Sequence, residues 1–171
     1  MNYAIIDTET TGTPRDPWAR IVEVGAVAFT DGAIEIGTFS SLVCPAILDE
    51  RAEPALYYNN ISFEVVASAP TESAVREKLL DWMTQYAVTR FYAYNQIFDA
   101  TMLDRSGIFL PWAGCIMQLA RRTIGGSGGP SLDKAAMHFH IPTGSRHRAL
   151  DDARLAAAVL HRIIRTPVGS I

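Results

Sequence analysis

Carboxylate residues at three distant places in the chain could together hold metal ions and activate a water molecule. Asp7 and Glu9 leave the end of an apolar run, residues 3–6, that is typical of a buried strand. Two carboxylates there must be solvated, paired or bound to a cation, because an unpaired buried charge costs several kcal/mol. Asp99 follows a second apolar run, and Asp152 lies far downstream. With one histidine, such a set is sufficient for two divalent ions and a water nucleophile.

Each of these residues also has a purely structural interpretation. Asp7 and Glu9 could form part of an ion pair at the end of a strand, and Asp99 could cap a helix. His147, which lies between two arginines, would by itself most often be a surface residue. These three interpretations are independent of one another, so the presence of the whole set favours a functional site.

The composition predicts one globular domain that spans residues 1–171. Hydrophobic residues make up 49% of the chain and charged residues 19%, which is typical of a globular protein. No apolar stretch approaches the roughly 20 residues of a membrane helix, and no basic segment precedes an apolar one at the N-terminus. Cys44 and Cys115 are too few and too far apart for a disulfide framework. We therefore expect a cytoplasmic protein without a membrane partner.

Charge is distributed unevenly along the chain. Residues 121–171 contain eight basic and three acidic residues, whereas residues 1–120 contain seven basic and fifteen acidic ones. This asymmetry is typical of a protein that binds cations on its acidic side and a polyanion on a basic flank. We define the basic flank as Arg121, Arg122, Arg146 and Arg148. The alternative is that basic residues near the C-terminus only complement a helix dipole.

The order of elements predicts a mixed α/β sheet with helices packed on it. Strands are expected over Tyr3–Thr8, Arg20–Thr30, Ala33–Val43 and Arg90–Tyr94, with a hairpin at Asp31-Gly32. Residues 45–60 read as an irregular stretch. Helices are expected over Ser62–Ser68, from Thr71, from Asn95 to Gly107, over Ala113–Ile124, from Ser131 to about His140, and from near Ala149.

Three motifs resemble those of the DEDDh exonucleases, which are DnaQ-like proofreading-type enzymes. The first, DxE followed by Thr-Gly, is Asp7-Thr8-Glu9-Thr10-Thr11-Gly12. The second is Asn95-Gln96-Ile97-Phe98-Asp99, and the third, HxAxxD, runs from His147 to Asp152. All three occur in the family's order. The similarity extends over nearly the whole chain, and Cys115–Arg122 is similar to small exonuclease X-like proteins.

The resemblance implies a ribonuclease H-like fold with a mixed five-stranded sheet flanked by helices. It also implies a metal-dependent 3′–5′ exonuclease that releases nucleoside monophosphates from the 3′ end of DNA, as in proofreading or DNA repair. The cofactors would be two Mg²⁺ or Mn²⁺ ions per site, which suit hard oxygen ligands. The expected partner is nucleic acid with single-stranded 3′ ends, and a homodimer or an association with a polymerase is compatible with the family.

The resemblance also implies a role for each acidic residue of the motifs. Asp7 would bridge both ions, Glu9 and Asp152 would help hold the ion that presents the water, and Asp99 would support the second ion. His147 would be the general base, because an imidazole with a pKa of about 6.5 can accept a proton near neutrality.

Substrate contacts are expected around the first two motifs and at the start of the third. The residues concerned are Thr8, Thr10, Thr11, Gly12, Asn95, Phe98 and His147. Phe98 could instead be a core residue. Two places depart from the family pattern: Thr13 follows the Thr-Gly where an aliphatic residue is common, and Tyr58-Asn59-Asn60-Ile61 replaces a stretch that usually contains His-Gly-Ile. Asn60 in this segment is expected to adopt a left-handed conformation, which Asn tolerates better than most residues.

Two other functions are compatible with the motifs. The first is an exoribonuclease of the same family, since only recognition of the 2′-OH distinguishes the two substrates. The second is a non-catalytic nucleic-acid-binding or polymerase-associated module. Such a module is expected to have lost one or more metal ligands, and all four are present here.

Overall fold

A mixed five-stranded sheet forms the centre of the protein in a computed structural model that describes residues 1–125, 128–144 and 147–165. The strand order is β3-β2-β1-β4-β5. Strands β1, β2 and β3 are antiparallel neighbours, whereas β4 runs parallel to β1 and to β5. The mixed sheet predicted from the sequence is therefore confirmed. The strands are β1 Asn2–Thr10, β2 Ile21–Phe29, β3 Glu35–Leu42, β4 Val88–Ala93 and β5 Trp112–Cys115.

Helices cover both faces of the sheet. One face packs against α3 and α4, and the other against α5, α6 and α7. Within the three described ranges, none of the helices has the length and apolar content needed to cross a membrane. The helices are α1 Glu53–Tyr58, α2 Phe63–Ala67, α3 Glu72–Gln85, α4 Gln96–Arg105, α5 Ile116–Ile124, α6 Leu132–His138 and α7 Ala149–Arg165, and a short 3-10 helix spans Glu50–Ala52.

The pleat of β1 divides its side chains between the two faces. Tyr3 and Ile5 belong to the core beneath α7, whereas Ala4 and Ile6 pack towards α3 and α4. Successive side chains of a strand point to opposite faces. Asp7 and Glu9 therefore continue on the α7 face, and Thr8 lies on the α4 face.

Helix α7 packs directly on β2 because Gly25 has no side chain. A Cβ atom at Gly25 would lie 2.1 Å from the backbone nitrogen of Leu150 and 2.3 Å from the carbonyl carbon of Ala149. Gly25 is also the residue of β2 that pairs with Asp7 of β1. The close approach therefore brings the first turn of α7 over the end of β1.

The structure corrects two of the predicted elements. The helix predicted over Ala113–Ile124 begins only at Ile116, because residues 112–115 pair with β4 as the short edge strand β5. A four-residue apolar run does not reveal from its own sequence that a parallel neighbour is available. The irregular stretch predicted over residues 45–60 contains α1, in whose first turn Pro54 needs no hydrogen-bond partner for its nitrogen. The hairpin predicted at Asp31-Gly32 is confirmed.

Candidate active site

Three of the predicted acidic residues meet at the end of β1. One carboxylate oxygen from each of Asp7, Glu9 and Asp152 lies within 4.8 Å of the others. Asp7 and Glu9 are half-buried and share a face of the strand, and Asp152 is buried in the first turn of α7. The neighbouring Asp151 is half-exposed and is not one of the three. Residues 145 apart in sequence thus form one acidic cluster.

Asp99 is joined to β1 through Thr8. Its side chain is only 3% exposed, and its Oδ1 atom accepts a 2.9 Å hydrogen bond from the Thr8 hydroxyl. Burial raises the pKa of Asp99 to about 7, although the hydrogen bond from Thr8 acts in the opposite direction. Among the described residues, the group with mutual distances below 4.8 Å contains three members, and Asp99 is outside it.

The chemistry of these side chains fits divalent cations. All four donors are carboxylate oxygens, which are the ligands that Mg²⁺ and Mn²⁺ prefer. Three carboxylates within 4.8 Å repel one another when ionised, and a cation between them removes that repulsion. A positive charge nearby would also favour ionisation of Asp99, which burial disfavours.

His147 lies two residues before α7, in a backbone conformation that non-glycine residues rarely adopt. Its φ angle is 63°. The half-buried imidazole packs against the ring of Tyr58, with 4.4 Å between the ring centroids and 59° between the ring planes. The residue that the third motif marks as a base is thus placed just ahead of the helix that carries Asp152.

An ion pair between a buried carboxylate and a half-exposed guanidinium fixes the backbone that follows His147. Glu23 of β2, 2% exposed, accepts hydrogen bonds from Nε of Arg148 at 3.1 and 3.2 Å and from Nη2 at 2.8 Å. The backbone nitrogen of Ala149 donates to the same carboxylate at 3.2 Å. The Glu23 carboxylate holds the pKa of the Arg148 guanidinium above its ordinary value. Glu23 also pairs with Glu9 across the two strands, so the ion pair adjoins the acidic cluster.

Glu23 has a role near the site that sequence reasoning did not identify. The available signal was a lone carboxylate in the apolar strand IVEVGAVAF, which requires a partner when buried. Arg148, which the sequence assigns to the basic flank, is that partner. Of the other members of the flank, Arg121 and Arg122 are exposed on α5, and Arg146 lies outside the described residues.

The loop after β1 is held by hydrogen bonds within the protein. The Thr10 hydroxyl donates to the carbonyl of Gly12 at 2.7 Å, and the Thr11 hydroxyl accepts from the backbone nitrogen of Arg20 at 2.9 Å. Arg105 of α4 donates to three carbonyl groups of the loop, those of Pro14, Asp16 and Ala19. The predicted substrate-binding threonines therefore have a structural role in shaping this loop.

The two other predicted substrate-binding residues lie at the start of α4. Asn95 is exposed at the N-cap position, and its backbone carbonyl accepts from the nitrogen atoms of Phe98 and Asp99. Phe98 is half-buried and packs against the core cluster on the α3 and α4 face. The alternative prediction for Phe98, a core contact, describes its observed packing.

The chain matches the model of the exonuclease family RNase_T over residues 4–160. It is 33% identical over 179 residues to a protein of Mycobacterium tuberculosis whose name describes a bifunctional exonuclease/endonuclease; the match covers 95% of this chain and 26% of that protein. It therefore spans about a quarter of this relative's length. It is also 27% identical over 166 residues to the DNA polymerase III subunit epsilon of Aquifex aeolicus, covering 95% of this chain and 80% of the subunit.

Solved structures share the fold at low sequence identity. The nuclease domain of 3′hExo, a DEDDh family member bound to rAMP, superposes with a TM-score of 0.80 at 20% identity, covering 96% of this chain and 92% of that one. Exonuclease I of E. coli in complex with a dT13 oligonucleotide gives 0.75 at 16% identity, covering 96% of this chain and 41% of that one. The ribonuclease H-like fold predicted from the sequence is thereby confirmed. The chain therefore belongs to the RNase_T exonuclease family, and its similarity to DnaQ-like epsilon subunits agrees with that assignment.

Proposed function

We propose that this exonuclease removes nucleoside monophosphates one at a time from the 3′ end of single-stranded DNA. The observation that carries the proposal is the meeting of Asp7, Glu9 and Asp152 within 4.8 Å at the end of β1. The relatives named as epsilon subunits of DNA polymerase III support DNA as the substrate.

In this proposal the carboxylates of Asp7, Glu9, Asp152 and Asp99 hold two Mg²⁺ or Mn²⁺ ions. Asp7, Glu9 and Asp152 would hold the ions where the three carboxylates meet, and Asp99 would support them from its position beside Thr8. When bound, the two ions supply charge stabilisation for the attacking and leaving oxygens and make a water molecule more acidic. The half-exposed positions of Asp7 and Glu9 leave the cluster open to a substrate phosphate.

His147 acts as the general base. Its imidazole takes a proton from the attacking water, whose oxygen forms a bond to the phosphorus of the last nucleotide. The bond between that phosphorus and the 3′-oxygen of the preceding nucleotide breaks, and this oxygen takes up a proton from solvent. The products are a nucleoside 5′-monophosphate and a strand that is one nucleotide shorter with a new 3′-hydroxyl. The base then loses its proton to solvent.

The test uses single-stranded DNA and RNA of the same sequence, each labelled at one end, with Mg²⁺, with Mn²⁺ or with chelator. We expect a ladder that shortens by single nucleotides from 5′-labelled DNA, and immediate release of labelled mononucleotide from 3′-labelled DNA. Chelator and the Asp7→Asn variant are expected to stop both reactions. Faster hydrolysis of the RNA would instead identify an exoribonuclease, and label release from the 5′ end would contradict the polarity.

A non-catalytic binding or polymerase-associated module would bind the strands without shortening them in any metal. The cytoplasmic location, the single-domain organisation, and association with a polymerase or with a second copy of the chain remain predictions from the sequence. The same preparation can be measured by light scattering to determine whether the protein is a dimer.

A further inference from the structure

The backbone at the C-terminus of α1, where Tyr58 lies, is held by a well-defined cap. The backbone nitrogen of Ile61 donates to the carbonyl of Leu56 at 2.9 Å, and that of Asn60 donates to the carbonyl of Tyr57 at 3.1 Å. Asn60 has a φ angle of 52°, which confirms the left-handed conformation predicted for it. These two hydrogen bonds and the left-handed residue are a Schellman motif, and they make Tyr58 the last helical residue.

The core anchors this capped end. Leu56 and Ile61 flank Tyr58 in sequence and belong to one buried cluster that also contains Val22 of β2. A contact between these two flanking positions is the usual hydrophobic partner of a Schellman motif. The segment that departs from the family's His-Gly-Ile pattern is therefore a rigid support and not a loose loop.

Tyr58 contacts the imidazole that the proposed mechanism uses. The centroids of the Tyr58 and His147 rings are 4.4 Å apart, and Tyr58 itself is 67% exposed. On the other side, the backbone after His147 is held by the hydrogen bonds of Arg148 and Ala149 to Glu23. His147 thus has its backbone fixed from β2 and its ring contacted from α1.

We propose that Tyr58 is a positioning residue that holds the imidazole of His147 in the orientation required for proton transfer. The proposal rests on the function proposed above for His147. A side chain just ahead of a helix can occupy several rotamers, and a ring packed at 4.4 Å removes those that would overlap with it. Because a small misplacement of a catalytic group can slow a reaction by up to about 100-fold, such a contact affects turnover.

The kinetic test compares Tyr58→Ala, Tyr58→Phe and Tyr57→Ala in the full chain. Tyr58→Ala is expected to lower kcat by about 10- to 100-fold with little change in KM, because the ring that orients His147 is lost. Tyr58→Phe keeps the ring and is expected to retain most of kcat. Tyr57 is 89% exposed and adjacent in sequence, so Tyr57→Ala is the matched control and is expected to resemble the wild type. A loss confined to KM would overturn the proposal, since it would mean that Tyr58 binds substrate.

A second test needs no turnover. The chain contains four histidines, so the imidazole proton signals can be assigned in an NMR spectrum by single histidine substitutions. Tyr58→Ala is expected to shift the His147 signal, because the ring current of Tyr58 disappears, whereas Tyr58→Phe is expected to leave it nearly in place. An unchanged His147 signal in Tyr58→Ala would refute the contact even if the enzyme is an exonuclease. Conversely, a chain that shows the shift but hydrolyses no nucleic acid would refute the proposed function and retain the contact.

Discussion

Asp7 and Gly25 are paired directly across β1 and β2, and the absence of a side chain at Gly25 is what allows α7 to approach Asp7. The backbone of Ala149 and Leu150 occupies the space where a Cβ atom of residue 25 would lie. Asp152 follows within the same helical turn. The geometry of the acidic cluster therefore depends on a residue that contributes no functional group.

Replacement of Gly25 by Ala is expected to displace α7 from the sheet. The added methyl group would lie 2.1 Å from a backbone atom, which cannot rotate away. Overpacking of this kind costs about 1–3 kcal/mol or more, and moving Asp152 away from Asp7 is expected to abolish hydrolysis. Urea unfolding and the nuclease assay measure the two effects. The control is Gly32→Ala in the hairpin, where the nearest atom would be 3.6 Å away; equal effects of the two substitutions would contradict the explanation.

The ion pair between Glu23 and Arg148 is expected to contribute more to stability than an ion pair on the surface. Arg148→Ala removes a half-exposed guanidinium from the carboxylate of Glu23, which is only 2% exposed. Of its hydrogen bonds with Arg148 and Ala149, Glu23 then keeps the one from the backbone nitrogen of Ala149. We expect a loss of about 1–3 kcal/mol, because a buried charge without its partner is costly. Arg154→Ala is the matched control: its pair with Glu35 is nearly half exposed on both sides and is expected to contribute about 0–1 kcal/mol. Chemical denaturation of both variants compares them.

Asp99→Asn is expected to stabilise the metal-free protein while it abolishes catalysis. The pKa of Asp99 is raised from 3.8 to about 7 by burial, so the folded state holds more protons than the unfolded state between these values. Stability from this group is therefore present at low pH and is lost as pH rises through about 7. Asparagine does not ionise, and each pKa unit corresponds to about 1.4 kcal/mol. The variant is thus expected to gain a few kcal/mol at pH 8.

The measurement is the urea midpoint of both proteins in chelator, from pH 5 to pH 8. The advantage of Asp99→Asn is expected to grow with pH and to level off above about pH 7. Addition of Mg²⁺ is expected to stabilise the wild type more than the variant, because the cation compensates the buried charge. A constant difference across the pH range would show that ionisation of Asp99 is not the cause.

His147→Ala is expected to lower kcat by about 10²–10⁴-fold through loss of the general base. Divalent-metal affinity, followed by calorimetry, is expected to be nearly unchanged because the four carboxylates remain. His138→Ala, which removes an exposed imidazole from α6, controls for a nonspecific effect of losing a histidine. Retention of full activity by His147→Ala would assign the base to another group.

Arg105→Ala is expected to weaken substrate binding through its effect on the loop after β1, to whose carbonyl groups Arg105 donates. The guanidinium donates to the carbonyls of Pro14 and Asp16 at 2.6 and 2.8 Å and so fixes the loop that follows the first motif. Its loss is expected to raise KM several-fold and to lower kcat less, because the acids on β1 and α7 keep their positions. Arg105→Lys is expected to restore little of the substrate affinity, since a single ammonium group cannot reproduce hydrogen bonds from two separate guanidinium nitrogens. A loss in kcat alone would show that the loop serves the chemical step.

The sequence predicted those parts of the site that follow from local periodicity. Asp7 and Glu9 are two residues apart in a strand, so they share a face whatever the rest of the fold. Likewise, the third motif, in which His147 precedes Asp152 by five residues, placed His147 ahead of a helix and Asp152 in its first turn, and the structure has both there. Local sequence sufficed for these features because each depends on a single element.

The features that the sequence did not predict depend on pairs of elements. Strand β5 exists because β4 offers it a parallel edge, and Glu23 is important because β2 brings it beside Glu9 and under Arg148. Tyr58 reaches His147 only through the packing of α1 on the buried cluster below it. Neither the composition nor the spacing of one segment carries information about such partners.

The placement of the third carboxylate on α7 has a consequence for protein synthesis. Because translation proceeds from the N-terminus, a nascent polypeptide has made β1, with Asp7 and Glu9, long before it makes Asp152. A truncated product that stops before Ala149 retains Asp7 and Glu9 of the acidic cluster but lacks Asp152. It also lacks the Ala149 backbone nitrogen that binds Glu23 and helps to fix the backbone after His147. The proposed nuclease activity therefore requires that α7 has been made and has docked on β2 beside Asp7.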